Sequence, residues 1–147
     1  MASNRIHSRG PYRYEEYKAN SALILPGMLL AIDSNGEVAP HSVVGGKAEA
    51  IFAVEDALQG INADTLYADN SIVACILPAK GSEVNAIIED GQDIAIGDRL
   101  MSQGNGKLVV LSDVSGADQD EIVAIAVEAN DLTGSNTSDT RSAVRIV

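Results

Sequence analysis

The side chains best suited to acid–base, nucleophilic or metal chemistry are few. Beyond carboxylates and the 10 Lys and Arg, the 147 residues offer two histidines, His7 and His41, and one cysteine, Cys75. His7 lies in a short polar opening segment and His41 follows Pro40 in a turn-like stretch, so each reads as a solvated surface residue rather than a general base. Cys75 sits inside Ile72-Val73-Ala74-Cys75-Ile76-Leu77, where a thiol without a nearby cation behaves as a small hydrophobe. One Cys and two distant His cannot complete a tetrahedral zinc site without carboxylate help.

Phosphate-binding patterns fail on inspection. Gly46-Lys47 is followed by Ala48 where a P-loop needs Ser or Thr, and position 41 is His where it needs Gly. Gly104-x-Gly106 runs on to Val109 where a dinucleotide fingerprint needs Gly or Ala. Asp113, Asp118, Asp120 and Glu121 cluster at a spacing unlike a calcium loop, and a solvated acidic turn is expected there. Asn136-Thr137-Ser138 is a formal glycosylation sequon, but no export signal accompanies it. The residues assign no catalytic, metal-binding or cofactor-binding position; no cofactor is expected, and the chain reads as non-enzymatic.

The elements that would carry any site are bounded by composition. An apolar fraction of 46% excludes wholesale disorder, and the length suits one domain with a real core. A net charge of −11 repels phosphates and excludes a general nucleic-acid binder. The longest apolar run, 22–32, is broken by Pro26-Gly27 and is far short of the roughly 20 residues of a spanning helix, so no membrane partner is expected. The opening residues form no apolar h-region, and a lone Cys75 agrees with a chain made in a reducing cytosol.

Charge is uneven along the chain. In residues 1–21, Arg5, Arg9, Arg13 and Lys18 face only Glu15 and Glu16, a surplus of two positive charges; the rest of the chain therefore carries −13. Three of the four tyrosines, Tyr12, Tyr14 and Tyr17, also fall there, behind a Ser-Arg-Gly-Pro breaker. Tyr and Arg are typical of partner-contacting surfaces. The expectation is an extended N-terminal arm, 1–21, that docks on a partner, followed by a body, 22–147.

The body reads as all-β. Short apolar runs at 23–25, 28–32, 51–54, 72–77, 108–111, 122–127 and 143–147 are rich in Val and Ile and bounded by Gly, Pro, Asn, Asp or Ser. Asp33-Ser34-Asn35-Gly36 and Gly104-Asn105-Gly106 are hairpin signals, because Asn-Gly accepts the positive φ of tight turns. Residues 82–88 fit a short helix or another strand equally. The chain also repeats itself: Gly27-Met28-Leu29-Leu30 and Asn35-Gly36 match Gly97-Asp98-Arg99-Leu100 and Asn105-Gly106 at an offset of 70, and Ala53-Val54-Glu55 matches Ala126-Val127-Glu128 at 73. Two such units would together complete one small β-barrel. With one Phe and no Trp, its core must be aliphatic, which suits a narrow barrel rather than a roomy ligand cavity.

Taken together, Pro26-Gly27-Met28-Leu29-Leu30, Asn35-Gly36-Glu37-Val38, the segment 50–55, the segment 67–73, Lys80-Gly81-Ser82-Glu83-Val84, Ile96-Gly97-Asp98-Arg99-Leu100 and Ala124-Ile125-Ala126-Val127-Glu128 resemble the head decoration (capsid cement) proteins of tailed bacteriophages. One departure is Asn70-Ser71, where Gly-Asp would precede the Val-containing strand. The resemblance implies a small β-domain on the capsid exterior of the virion, made in the host cytoplasm, clamping subunits of the major capsid protein and stabilising the head. It implies a homo-oligomer, a homotrimer being favoured by a site of local threefold symmetry, and no enzymatic residues. On that reading the arm residues Arg9, Tyr12, Arg13, Tyr14 and Tyr17 contact the capsid. Two other classes compete. A sugar- or peptide-binding module would need exposed aromatics on the body, where only Phe52 and Tyr67 are available. A hydrolase built on the acidic cluster would need calcium.

Overall fold

The two Asn-Gly sequences set two hairpins, and the fold is built around them. The computed structural model describes residues 5–147. Along it run β1 (His7–Arg9), β2 (Tyr12–Lys18), β3 (Leu30–Ile32), β4 (Val38–Pro40), β5 (Phe52–Ala53), β6 (Ile72–Pro78), β7 (Glu83–Ile88), β8 (Asp93–Ile94), β9 (Arg99–Ser102), β10 (Leu108–Val110), β11 (Ala124–Ala126), β12 (Asn130–Asp131) and β13 (Thr140–Ile146). The only helical pieces among the described residues are single 3₁₀ turns at Ala57–Gln59, Leu111–Asp113 and Gln119–Glu121. The all-β expectation holds, and 83–88, left open between helix and strand, is a strand.

The hairpins match residue for residue at the offset of 70. Leu30 pairs with Pro40 and Ile32 with Val38; Leu100 pairs with Val110 and Ser102 with Leu108. In each the turn glycine takes a positive φ, +77° at Gly36 and +80° at Gly106, a region closed to most L-residues. The backbone bond that closes each loop is the same: Asp33 N–H donates to Glu37 O at 2.8 Å, and Gln103 N–H to Lys107 O at 2.9 Å.

The repetition goes further than hairpins. In the second half, β7, β10, β9, β11 and β13 form a closed five-stranded circuit: β13 pairs back with β7, and the β7–β10 contact, Ile88 with Leu108, is parallel. The first half repeats that circuit with β2, β4, β3, β5 and β6. Here two single bridges complete it, Ala19 with Val38 in parallel and Leu29 with Phe52 antiparallel. Their counterparts are Ile88 with Leu108 and Arg99 with Ile125. Asn20 N–H donates to Val38 O at 2.8 Å just as Glu89 N–H donates to Leu108 O at 3.0 Å. Each unit therefore closes its own barrel, rather than two units sharing one. Strands this short leave edges that closure removes.

This circuit corrects the reading of the opening segment. Residues 12–18 are extended, as expected, but they do not project as an arm. They pair antiparallel with β6 over all seven residues, and β1 pairs with β7 in the other barrel. The segment also supplies core residues, since Ile6 and Ala19 are fully buried. The boundary expected near Asn20-Ser21 thus falls inside the first barrel.

Two apolar clusters follow from strand alternation. The first barrel's interior holds Ala19, Leu30, Val38, Ala53 and Cys75, with Ile24 and Tyr67. The second holds Ile88, Leu100, Leu108, Ala126 and Val144 at the equivalent positions, with Ile94. Leu29, Phe52, Ala74 and Ile76 alternate with the first set and join the second cluster along with Ile6, welding the barrels into one body. Aliphatic side chains dominate both clusters, but the two largest fully buried side chains, Tyr67 and Phe52, are aromatic, which corrects the expectation of a purely aliphatic core. Asn70 takes φ +62°, so Asn supplies the left-handed turn where Gly was anticipated.

Candidate functional site

The five residues expected to touch a partner lie on or beside β2, whose alternation splits them between two faces. The pairs Pro11–Ala79 and Ala19–Ser71 are hydrogen-bonded to the β6 side, at 3.0 and 2.8 Å. Odd-numbered residues between them therefore point their backbone at β6, while Tyr12, Tyr14 and Glu16 point theirs away. β2 is the terminal strand of its sheet among the described residues, so those groups form an open edge.

On one face stand Tyr12 and Tyr14, 47% and 50% exposed. Tyr14 Oη donates to Glu16 Oε1 at 3.0 Å. Burial, then that bond and the Glu16 charge, push the phenol up to about 12. Tyr12 packs on the His7 ring at 4.4 Å between centroids, with exposed Arg9 nearby in sequence on β1. On the opposite face Arg13 Nε pairs with Glu15 Oε1 at 2.9 Å, and Tyr17 packs against the first barrel's core. Four of the five thus share one strand, with Arg9 on β1, but they do not share one surface: Tyr17 serves the core, and Arg13 faces away from Tyr12 and Tyr14.

The chemically capable side chains are spread out. His41 is buried, contrary to the solvated position expected. Its Nε2 donates to Lys47 O at 3.1 Å and its Nδ1 shares a 2.6 Å bond with the Ser102 hydroxyl, which also accepts the Gly104 N–H. His41 ends the first hairpin 70 residues before Leu111, which is only half-buried, so the repeat does not account for its burial; the bonds to Ser102 and Lys47 do. His7 is half-buried, with Nε2 2.7 Å from Gly10 O. Cys75 lies within the first barrel, and burial pushes its thiol up to about 12.

In the acidic stretch Asp118 accepts from the Asp120 N–H at 3.0 Å, an ordinary capping role. Among the described residues no group of three or more His, Cys, Asp or Glu could hold a metal ion. An open cleft of about 470 Å³ beside Glu55, Ile61, Ala63 and Asp64 has no aromatic lining residue. No helix among the described residues is long and apolar enough to cross a membrane.

The chain is therefore an all-β protein of two tandem five-stranded mixed barrels whose most distinctive surface is the tyrosine-bearing edge of β2. No family model and no curated protein sequence matches it. A solved structure shares its fold: the head fiber gp8.5 N base in bacteriophage phi29, with TM-score 0.58 and 14% sequence identity, covering 93% of this chain and 95% of that chain. The likeness runs nearly end to end in both molecules. It meets the resemblance to phage head proteins drawn from the sequence at the level of fold.

Proposed function

We propose that this protein is a non-enzymatic structural component of a bacteriophage head, bound to the outside of the shell as a decoration protein that stabilises the lattice of the major capsid protein. The observation that carries this reading is the match of fold, over 93% of the chain, to a phage head fiber base. An acidic body is suited to an exterior position, away from packaged DNA, and keeps a many-copy coat soluble. A cyclic oligomer, with a trimer favoured, would present several copies of the contact surface at once and raise avidity by roughly 10²–10⁴.

Contact with the shell is assigned to Arg9, Tyr12 and Tyr14, with Arg13 at the rim and Tyr17 acting through the packing of β2. The open backbone of Tyr12, Tyr14 and Glu16 can receive an extended segment of a capsid subunit, and the tyrosines give that segment rigid amphipathic area. Mixing the protein with heads that lack it, then sedimenting, tests the reading. Wild-type protein should pellet with heads and raise the temperature at which they burst. Tyr12→Ala with Tyr14→Ala should weaken pelleting at least tenfold while leaving the fold intact. Wild-type protein that stays in the supernatant, with heads no more stable, overturns it.

A further inference from the structure

Within the chain the two barrels meet through a loop that has an unused twin. Pro26-Gly27 of the first barrel docks on β7 and β13 of the second. Gly27 O accepts the Ile87 N–H at 3.0 Å, and Pro26 O accepts Arg141 Nε and Nη2 at 3.1 and 2.9 Å. Gly27 is so enclosed that an added Cβ would lie 3.1 Å from Asn85 O and from Ile87 Cγ1. The equivalent loop of the second barrel, 70 residues on, is Ile96-Gly97. Gly97 has the same backbone, φ +92° against +97°, and its N–H donates to Ala126 O at 2.8 Å as that of Gly27 donates to Ala53 O. Yet an added Cβ there would meet no described atom within 4 Å, and Ile96 is 72% exposed.

The acceptor has a twin as well. The β2–β6 and β7–β13 registers superpose at an offset of 69, which places Lys18 at the position of Ile87 and Ile72 at that of Arg141. The Lys18 backbone lies on the side of β2 that faces away from β6, and Ile72 is 46% exposed. The side chains have changed together across this contact. Inside the chain a cation, Arg141, caps a proline carbonyl; the unused pair would set isoleucine on isoleucine.

We propose that the Ile96-Gly97 loop of one copy docks on Lys18 and Ile72 of a second copy, repeating between chains the contact that joins the barrels within a chain. Gly97 O accepts the Lys18 N–H, and Ile96 covers Ile72. Such a contact is head-to-tail, so it generates a closed ring when the rotation closes. It uses the Lys18 end of β2 and leaves the Tyr12–Tyr14 end open.

Single cysteines test the geometry, because Cys75 is buried and stays out of the exchange. Ile72→Cys and Ile96→Cys proteins, mixed and oxidised, should give an interchain disulfide, whereas neither variant alone should. Ile96→Asp should convert the sedimenting species from oligomer to monomer with unchanged circular dichroism and melting temperature. A wild-type protein that sediments as a monomer across its soluble range overturns the proposal, as does an oligomer that survives both Ile96→Asp and Ile72→Asp. Self-cross-linking of Ile96→Cys alone would also overturn it, since that reports a twofold contact. A cross-link formed by a protein that ignores phage heads upholds this contact and counts against the head-associated role alone.

Discussion

Ala19 bridges Val38 in parallel as Ile88 bridges Leu108, and through that bridge the opening segment becomes a wall of the first barrel. Deleting residues 1–20 removes β2, one of the two strand partners of β6, and opens the circuit. The truncated chain should lose cooperative urea unfolding of its first half, and Ile6→Ala alone should cost about 2–5 kcal/mol, the usual range for emptying a buried aliphatic site. A truncated protein with an unchanged midpoint would contradict the closed first barrel.

Gly36 and Gly106 separate backbone strain from packing. Both hold a positive φ, but a Cβ at Gly36 meets nothing within 4 Å while one at Gly106 lies 3.0 Å from Pro40 Cβ and 3.2 Å from Met28. Gly36→Ala should cost about 1–2 kcal/mol, the penalty of a left-handed L-residue. Gly106→Ala should cost distinctly more. Denaturant midpoints of the two variants decide the order.

His41 ties the end of the first hairpin to the second. Replacing it with Ala leaves the Lys47 carbonyl and the fully buried Ser102 hydroxyl short of a partner each. The expected loss is about 1–3 kcal/mol, the cost of stranding a buried polar group. Unfolding curves of His41→Ala and His41→Gln should differ, with Gln restoring part of the loss.

Acid should weaken the fold from a defined set of carboxylates. Asp33 is held below the ordinary range chiefly by the Glu37 N–H; burial opposes this, and the Asn35 N–H and the Asn20 amide add to it. For Asp139 burial pushes upward but is outweighed by the 2.6 Å bond from Lys107, the Asp90 N–H and the Lys107 charge. A carboxyl lowered on folding contributes stability above its unfolded pKa, about 3.9, and that contribution is lost as pH falls through the lower folded value. Melting temperature should therefore drop below about pH 4, and Asp33→Asn should flatten that limb.

Cys75 should be silent while the barrel is closed. Burial pushes its thiol up to about 12, so almost no thiolate exists at neutral pH. Ellman's reagent should react with native protein only at the rate of unfolding, and at once in denaturant. Rapid labelling of the folded protein would place Cys75 at the surface instead.

What was legible in the sequence followed local chemistry. Asn35-Gly36 and Asn105-Gly106 announced hairpins because few residues accept a positive φ, and the offset of 70 between them carried straight into the strand registers. What escaped was closure. The first barrel is completed by Ala19 and Leu29, single bridges with no pattern of their own, and of β2 only Tyr17 packs on the core, Ala19 lying just beyond the strand's end. A strand so rich in Tyr, Arg and Glu reads as a free arm. Ile6 and His41 were hidden for the same reason, each being one buried side chain in a polar setting with a partner more than 45 residues away, Glu55 for the Ile6 N–H and Ser102 for the His41 ring.

β1 is the first strand among the described residues, yet its sheet partner is β7 of the second barrel, with His7 opposite Val84. As the chain leaves the ribosome, residues 12–78 can close their own circuit while His7–Arg9 has no strand to pair with, since Val84 is made 77 residues after His7 (84 − 7). This early strand is thus among the last to be secured, and its arrival clasps a finished barrel to a newborn one.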